Sequence, residues 1–383
     1  MTQCKNDGRE PRLLPSSKLV SLFEALTRHG YDIVGPVVRD GAIVLDRIQS
    51  PSDLPAGWTD EQSPGHYRLQ HRQDEAYFGY ATGPQSWKKY FLPAESKLWS
   101  AESRNGVFRI LNNQAHPPRP FAMVGVRPCD LAAITIQDRV LMQDRYVDSI
   151  YATRRGAAFI VAVECTHAAP TCFCASLQSV PASQSGFDLS FTELLGPGSQ
   201  HLFVIHAGSA KGAELLSELE TEPAGPEDLR QESEAIEMAR RDQVRKVCLD
   251  GLKELVNEKF DDRCWDQITA RCLTCGNCTM VCPTCFCSTC EDTSDLSGSR
   301  VERWRRWDSC FTLSFSYIHG GSVRASTKAR YRQWLTHKLV SWVDQFDTAG
   351  CVGCGRCITW CPVGIDLTEA VHAIQEGKDN GNA

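Results

Sequence analysis

The sequence lacks the features that would place it in a membrane or outside the cell. Its longest apolar run lies close to Ala157–Val163 and has the length of a buried strand, well short of the ~20 residues that a membrane helix needs. The first residues are polar and charged, without the apolar stretch of a secretory signal. We therefore expect a soluble, cytoplasmic protein with no membrane contact.

Motifs for nucleotide binding and for acid–base catalysis are missing as well. No Gly-x-Gly-x-x-Gly follows a strand, and no Gly-x4-Gly-Lys-Ser/Thr phosphate loop occurs. Scattered histidines such as His167, His319 and His337 form no recognisable catalytic pair. The formal net charge of −6 gives no general reason to expect binding to nucleic acid. The sequence thus indicates neither a nucleotide site nor a set of catalytic residues.

Cysteine is what the sequence has in excess, with 19 residues in 383. Disulfides are rare in a reducing cytoplasm, where clustered cysteines usually serve metals or catalysis. Two runs, Cys272–Pro283 and Cys351–Pro362, match position for position as Cys-x2-Cys-x2-Cys-x3-Cys-Pro. The thiols of these runs are therefore predicted to be metal ligands.

The spacing of the two runs is typical of proteins that hold two [4Fe–4S] clusters. The first three cysteines of a run wrap one cubane, whereas the fourth ligates the cubane of the other run. The predicted ligands of the first cluster are Cys272, Cys275, Cys278 and Cys361, and those of the second are Cys351, Cys354, Cys357 and Cys282. The alternative is a structural scaffold in which the thiolates hold zinc, although zinc favours pairs of cysteines with a longer spacer.

A further group of cysteines lies in the N-terminal part of the chain. Phe121–Val126 and Ala157–Val163 are predicted to be buried strands, each followed closely by a cysteine, and a Cys-x-Cys pair comes shortly afterwards. Strand ends at one edge of a sheet lie side by side, so these thiols are expected to converge on a third [4Fe–4S] cluster. Zinc and buried free thiols remain alternatives. The expected ligands are Cys129, Cys165, Cys172 and Cys174.

Four more cysteines follow the first run, namely Cys285, Cys287, Cys290 and Cys310. Their number equals that of the ligands of one cluster, but thiols so near a ligand helix can simply pack against the clusters. Free thiols are the interpretation that the spacing favours.

A basic segment separates the two cysteine runs. Between Arg300 and Lys338, nine lysines and arginines stand against two acids, with three tryptophans interleaved. A cubane with four thiolates is anionic, and nearby cations tune its potential. We interpret the segment as a set of cations that tunes the clusters or docks a partner subunit, with an ordinary solvated face as the alternative, and not as a nucleic-acid surface.

The order of predicted elements favours an α+β fold in two domains. Residues 1–245 are predicted to form a mixed α/β domain that carries the third site. Residues 246–383 are predicted to form a mostly helical, bacterial-type ferredoxin-like domain with a basic insert at about 291–345. The polar stretch that begins the insert, EDTSDLSGSR, is expected to loop out between the cysteine runs.

Taken together, these motifs resemble those of a known family. The family comprises the beta subunits of cytoplasmic NiFe sulfhydrogenases and the related electron-transfer subunits of anaerobic sulfite reductase. The motifs that carry the resemblance are Gly125–Leu131, Cys165 with Thr171–Cys174, Cys282–Cys287, Arg306–Cys310 and Cys351–Pro362.

The resemblance implies a 4Fe–4S dicluster subunit that transfers electrons and has no catalytic site of its own. It implies electron flow between a catalytic partner and a flavin- and NAD(P)-binding subunit. We favour the small and large subunits of a NiFe hydrogenase as the catalytic partner. The catalytic subunit of a sulfite reductase and another multi-subunit oxidoreductase are the alternatives. The same resemblance supports the third cluster.

Overall fold

A computed structural model describes residues 10–104, 106–111, 119–143, 145–177, 183, 185–196 and 200–376. Within these ranges both strands and helices are well represented, in agreement with the predicted α+β class. The strands are β1 (Arg12–Pro15), β2 (Asp32–Arg39), β3 (Ala42–Arg47), β4 (Trp58–Ser63), β5 (His66–His71), β6 (Glu95–Arg104), β7 (Val107–Leu111), β8 (Phe121–Val126), β9 (Ala158–Val163), β10 (Leu189–Leu195), β11 (His201–Ala207), β12 (Glu222–Pro223), β13 (Ser288–Ser294), β14 (Arg300–Trp307), β15 (Tyr317–Ile318) and β16 (Gly321–Ser322).

The helices are distributed along the whole described chain. They are α1 (Val20–Arg28), α2 (Lys88–Phe91), α3 (Pro128–Met142), α4 (Ser149–Gly156), α5 (Ala210–Ser217), α6 (Pro226–Arg241), α7 (Leu252–Glu258), α8 (Cys264–Thr269), α9 (Asn277–Met280), α10 (Thr327–Thr336), α11 (Trp342–Phe346), α12 (Arg356–Thr359) and α13 (Leu367–Glu376). A π-helical turn, His337–Ser341, joins α10 to α11. In the part of the chain that the structure describes, none of the helices combines the length and apolar character needed to cross a membrane.

The larger sheet has the strand order β12-β1-β11-β10-β9-β8-β2-β3. Its centre is parallel, because β2 pairs with β8, β8 with β9, and β9 with β10 in the same direction. Every residue of β9 is buried, which is typical of a strand covered on both faces. The predicted strands Phe121–Val126 and Ala157–Val163 are thus β8 and β9, and they lie next to each other as expected.

A second sheet joins distant parts of the chain in the order β13-β14-β6-β7. The polar stretch predicted to loop out instead supplies the end of β13 and the turn into β14, so that prediction was wrong. Strand pairing is stabilised there by a cross-strand ion pair, in which Arg303 donates to Asp292 over 2.7 Å. On its other side β14 pairs with β6, with Arg305 opposite Ser96.

The two largest apolar cores lie mostly in different parts of the chain, and a smaller core joins these parts by packing Ile136 with Trp342. One core packs α1 and α5 against the larger sheet and includes Phe23 and Phe203. Another is built from the helices after residue 246 and centres on Trp265, Trp334 and Val371. The prediction that the C-terminal part is mostly helical is not confirmed, because this part also contains β13 to β16.

Candidate metal centres

The two cysteine runs fold into closely similar loops. The third residue of each run has a left-handed backbone, with φ of 52° at Thr274 and 66° at Gly353. This conformation turns the amide back toward the first cysteine, so that Thr274 donates to Cys272 Sγ at 3.4 Å and Gly353 to Cys351 Sγ at 3.5 Å. Backbone amides directed at cysteine sulfur are the donors that stabilise thiolate ligands.

Each loop then passes into a short helix at the same position. Gly276 and Gly355, with φ of 75° and 73°, immediately precede α9 and α12. The helices carry the third cysteine of each run and point the fourth away from its own loop. This local geometry directs the fourth cysteine of one run toward the other run.

The first run lines a largely apolar cavity together with the last cysteine of the second run. The cysteines of this cavity are Cys272, Cys275, Cys278, Cys357 and Cys361. All four thiols predicted for the first cluster are therefore brought together, and Cys361 crosses over from the second run as the spacing predicts.

Two buried hydrogen-bond donors face this cavity without an acceptor among the described residues. Tyr331 and Trp334 of α10 line the cavity, and they are 2% and 4% exposed. Tyr331 Oη and Trp334 Nε1 have no hydrogen-bond partner among the described residues. The sulfides and thiolates of a cubane accept such bonds, so the residues present fit an iron–sulfur cluster.

The fourth cysteine of the first run lies among the thiols of the second. Burial raises the pKa of Cys351 to about 12, and the neighbouring Cys282 thiol also raises it. The Cys282 thiol also raises the pKa of Cys354 and of Cys357. The second predicted ligand set is therefore also assembled in one place.

A buried lysine lies beside the second set of cysteines. Lys338, 4% exposed, lies in the π-helical turn, and its Nζ is 3.1 Å from Cys282 Sγ. A hydrogen bond from Cys285 and the Lys338 charge hold the pKa of Cys282 well below its usual range. A π-helical turn of this kind is frequent at functional sites, where it redirects a side chain.

The four cysteines of the N-terminal part also converge. Cys129 lies in the first turn of α3 after β8, and Cys165 follows β9, the adjacent parallel strand. A single cavity is lined by Cys129, Cys165, Cys172 and Cys174, and also by Cys354 of the second run. The thiols predicted for the third cluster thus face one space.

The polar groups around this cavity suit a thiolate-bound metal. Gln243 donates from Nε2 to Cys174 Sγ at 3.3 Å. His167 lines the same cavity, and its buried Nε2 has no partner among the described residues. Burial raises the pKa of Cys165 to about 12 and that of Cys172 well above its usual value, so binding of a metal must release protons.

The N-terminal site is packed directly against the second cysteine run. Phe173 donates its amide to the Gly353 carbonyl at 2.8 Å. A Cβ atom added to Gly353 would lie 2.5 Å from the backbone nitrogen of Cys174, so glycine is required for this approach. A buried ion pair reinforces the contact, with Arg356 and Asp130 each 2% exposed and 2.8 Å apart. The contact joins residues far apart in sequence, which is why motif spacing alone could not reveal it.

Two cysteines of the second run connect the three thiol groups. Cys357 lines the cavity of the first set, whereas Cys354 lines the cavity of the N-terminal site. The second set consequently lies between the other two.

Over the described ranges, no three His, Cys, Asp or Glu side chains are close enough to hold one metal ion. A cubane places irons and sulfides between its thiolates and so separates them further.

Several cations of the basic segment form ion pairs with carboxylates. Arg303 pairs with Asp292, and Arg305 with Asp148. Lys338 is the residue of the segment seen against a cysteine sulfur in the described chain. The predicted role of tuning the clusters thus has a structural basis at Lys338, while the arginines named here stabilise strand β14.

Comparison with known proteins places this site in a family. Residues 271–365, which contain both cysteine runs, match the family model of the 4Fe–4S dicluster domain. The chain is 31% identical over 310 residues to sulfhydrogenase 2 subunit beta of Pyrococcus furiosus, covering 79% of this chain and 87% of the relative. The chain belongs to the sulfhydrogenase beta-subunit family. No solved structure matches it.

Membership in the sulfhydrogenase beta-subunit family agrees with the resemblance found in the sequence. The dicluster domain makes the chain an iron–sulfur protein that carries [4Fe–4S] clusters. It is a non-catalytic electron-transfer subunit of an oxidoreductase complex.

Proposed function

We propose that this chain relays electrons through three [4Fe–4S] clusters between the small and large subunits of a cytoplasmic NiFe hydrogenase and a flavin- and NAD(P)-binding subunit. The observation that carries the proposal is the continuity of the three thiol groups, since Cys357 and Cys354 each line a neighbouring cavity. The proposed ligand sets are Cys272, Cys275, Cys278 and Cys361; Cys351, Cys354, Cys357 and Cys282; and Cys129, Cys165, Cys172 and Cys174.

The surroundings of the thiols suit one-electron transfer. A [4Fe–4S] cluster, when bound, takes up and gives away single electrons. Tyr331 and Trp334 can donate hydrogen bonds to the first set, and Lys338 offsets negative charge at the second. Such donors and cations favour the reduced state, because they stabilise the extra negative charge.

The hydrogenase assignment draws on the relative, which is a sulfhydrogenase subunit by name. A relay in an anaerobic sulfite reductase or another oxidoreductase, and a zinc–thiolate scaffold, are the competing functions. We place the protein in the cytoplasm, because clustered cysteines that serve metals, without disulfides among the described residues, are typical of a reducing compartment.

The domain division also belongs to the proposal. The two largest apolar cores, one before residue 246 and one mostly after it, support a mixed α/β domain at residues 1–245 and a ferredoxin-like domain at 246–383 with an insert at about 291–345. The pairing of β6 with β14 would then tie the insert to the first domain.

Purification of the tagged full chain from its native host under anaerobic conditions tests this function. We expect NiFe hydrogenase subunits and a flavoprotein to copurify, with iron and acid-labile sulfide in the chain. The isolated chain should show no turnover with hydrogen, sulfite or NAD(P)H. Copurification with a sulfite reductase would redirect the assignment, whereas zinc without sulfide, or robust turnover by the single chain, would overturn the relay.

A further inference from the structure

The relay leaves the cysteines that follow the first run without a role. The structure separates Cys290 from the other three, because it is exposed on β13. Cys285, Cys287 and Cys310 instead line one cavity between the second ligand set and the β13–β14 hairpin. Three thiols around one cavity suggest a shared ligand, and not only apolar packing against the neighbouring clusters.

Strand pairing brings these thiols together. The Cys285-Phe-Cys287 segment precedes β13 and Cys310 follows β14, so both lie at the open end of the β13–β14 hairpin, where Ser288 is opposite Trp307. Asp308 donates its amide to the Cys287 carbonyl at 2.9 Å and holds the two segments side by side. The pairing of these strands thus positions the three thiols, as strand ends do at the N-terminal site.

Two buried lysines flank these thiols. Lys88 and Lys338 are each 4% exposed, and Lys338 lines the cavity. Lys88 Nζ donates to the Cys285 carbonyl at 3.1 Å, and Lys338 Nζ lies 3.1 Å from Cys282 Sγ. A buried cation is costly unless an anion accompanies it. Metal-bound thiolates in this cavity would supply such anions beside both lysines.

The cavity also contains a donor without an acceptor. Arg324 lines it, and its buried Nε has no hydrogen-bond partner among the residues described. Inorganic sulfide is an acceptor that would satisfy this group.

We propose that Cys285, Cys287 and Cys310 hold a fourth [4Fe–4S] cluster. This inference rests on the proposed function, because it extends the same relay. Three thiolates would hold three of the four irons, and the fourth iron would take a ligand that is not cysteine. Lys338 lines this cavity and also lies 3.1 Å from Cys282 Sγ, so the fourth cluster would lie beside the second. The second set would then be a branch point with three neighbours.

Iron analysis of the anaerobically purified full chain, with a Cys287→Ser, Cys310→Ser double variant, tests the fourth cluster. We expect about sixteen irons in the unaltered chain and about twelve in the double variant, since each cubane contains four. Cys290→Ser is the matched control, because this thiol lies on the same hairpin but outside the cavity, and it should keep about sixteen. Mössbauer spectroscopy of the unaltered chain gives an independent count that does not depend on folding of the variant.

The outcomes separate this inference from the proposed function. About twelve irons in the unaltered chain, unchanged in the double variant, would leave three clusters in place and refute the fourth. A disulfide between Cys287 and Cys310 in the anaerobic protein, detected by mass spectrometry, would refute it as well. Fewer than about eight irons in the unaltered chain would instead contradict the proposed function.

Discussion

At the third position of each cysteine run, the surrounding backbone determines which residue type can be accommodated. Thr274 and Gly353 are equivalent and share a left-handed backbone, yet one has a side chain and the other cannot have one. The difference lies in the surroundings, because the backbone of Cys174 closes over Gly353. The close approach connects the second ligand set to the N-terminal site.

Gly353→Ala is expected to damage this connection. The new Cβ must displace the Phe173–Cys174 segment, and alanine adopts the left-handed conformation at a cost, so the free energy of unfolding should fall by about 2–5 kcal/mol. Iron content should fall as well, because Cys174 moves. Thr274→Ala is the control, since that residue already has a Cβ at the same φ and should change both quantities little. Equal iron content and equal thermal stability in the two variants would contradict the assigned packing.

Residue chemistry was predictable only where it followed a local motif. The spacing of the cysteine runs gave the loops, and the third site followed from two strands ending at one sheet edge. Lys88 and Lys338 carry no motif, because their importance arises from burial beside thiols. Such contacts depend on the tertiary fold, which residue spacing does not contain.

At the scale of elements, the main feature is the exchange of the fourth cysteine between two similar loops. Helices α9 and α12 direct Cys282 and Cys361 into the opposite set. The exchange ties the two loops together, since neither set is complete without the other run.

The exchange predicts which serine variants resemble each other. Cys361→Ser should give the same loss in the EPR spectrum as Cys272→Ser, because both remove a ligand of the first cluster. Cys282→Ser should match Cys351→Ser, and each should cost up to about four irons. EPR of the reduced, anaerobic proteins makes the comparison. If Cys282→Ser instead matched Cys272→Ser, the ligands would not be exchanged.

Buried, apolar strands could be predicted from the sequence. Strands that form by pairing with a segment far away in the sequence could not. Strand β9 is buried throughout and follows from its composition. Strand β13 begins near Ser288 in a polar stretch that is typical of a loop. It forms because Arg303 pairs across to Asp292 and because β14 continues a sheet begun by β6. Pairing between such distant segments leaves no periodic signal in either.

At the scale of the whole molecule, the three thiol groups form a continuous path. The second set lies at its centre and connects the ferredoxin-like region to the N-terminal site through Cys354. The α+β class and the family could be predicted from the sequence, and both hold. The order of the groups along the path could not, because it depends on how the second run packs on the Thr171–Cys174 segment.

The most direct test of this path is iron analysis with EPR on the anaerobically purified full chain and its Cys172→Ser, Cys174→Ser variant. Cys248→Ser, which changes an exposed thiol, is the control. We predict that the double variant loses about four irons and one EPR-active centre, while the control loses none. Unchanged iron content and unchanged spectra in the double variant would contradict a relay that reaches the N-terminal site.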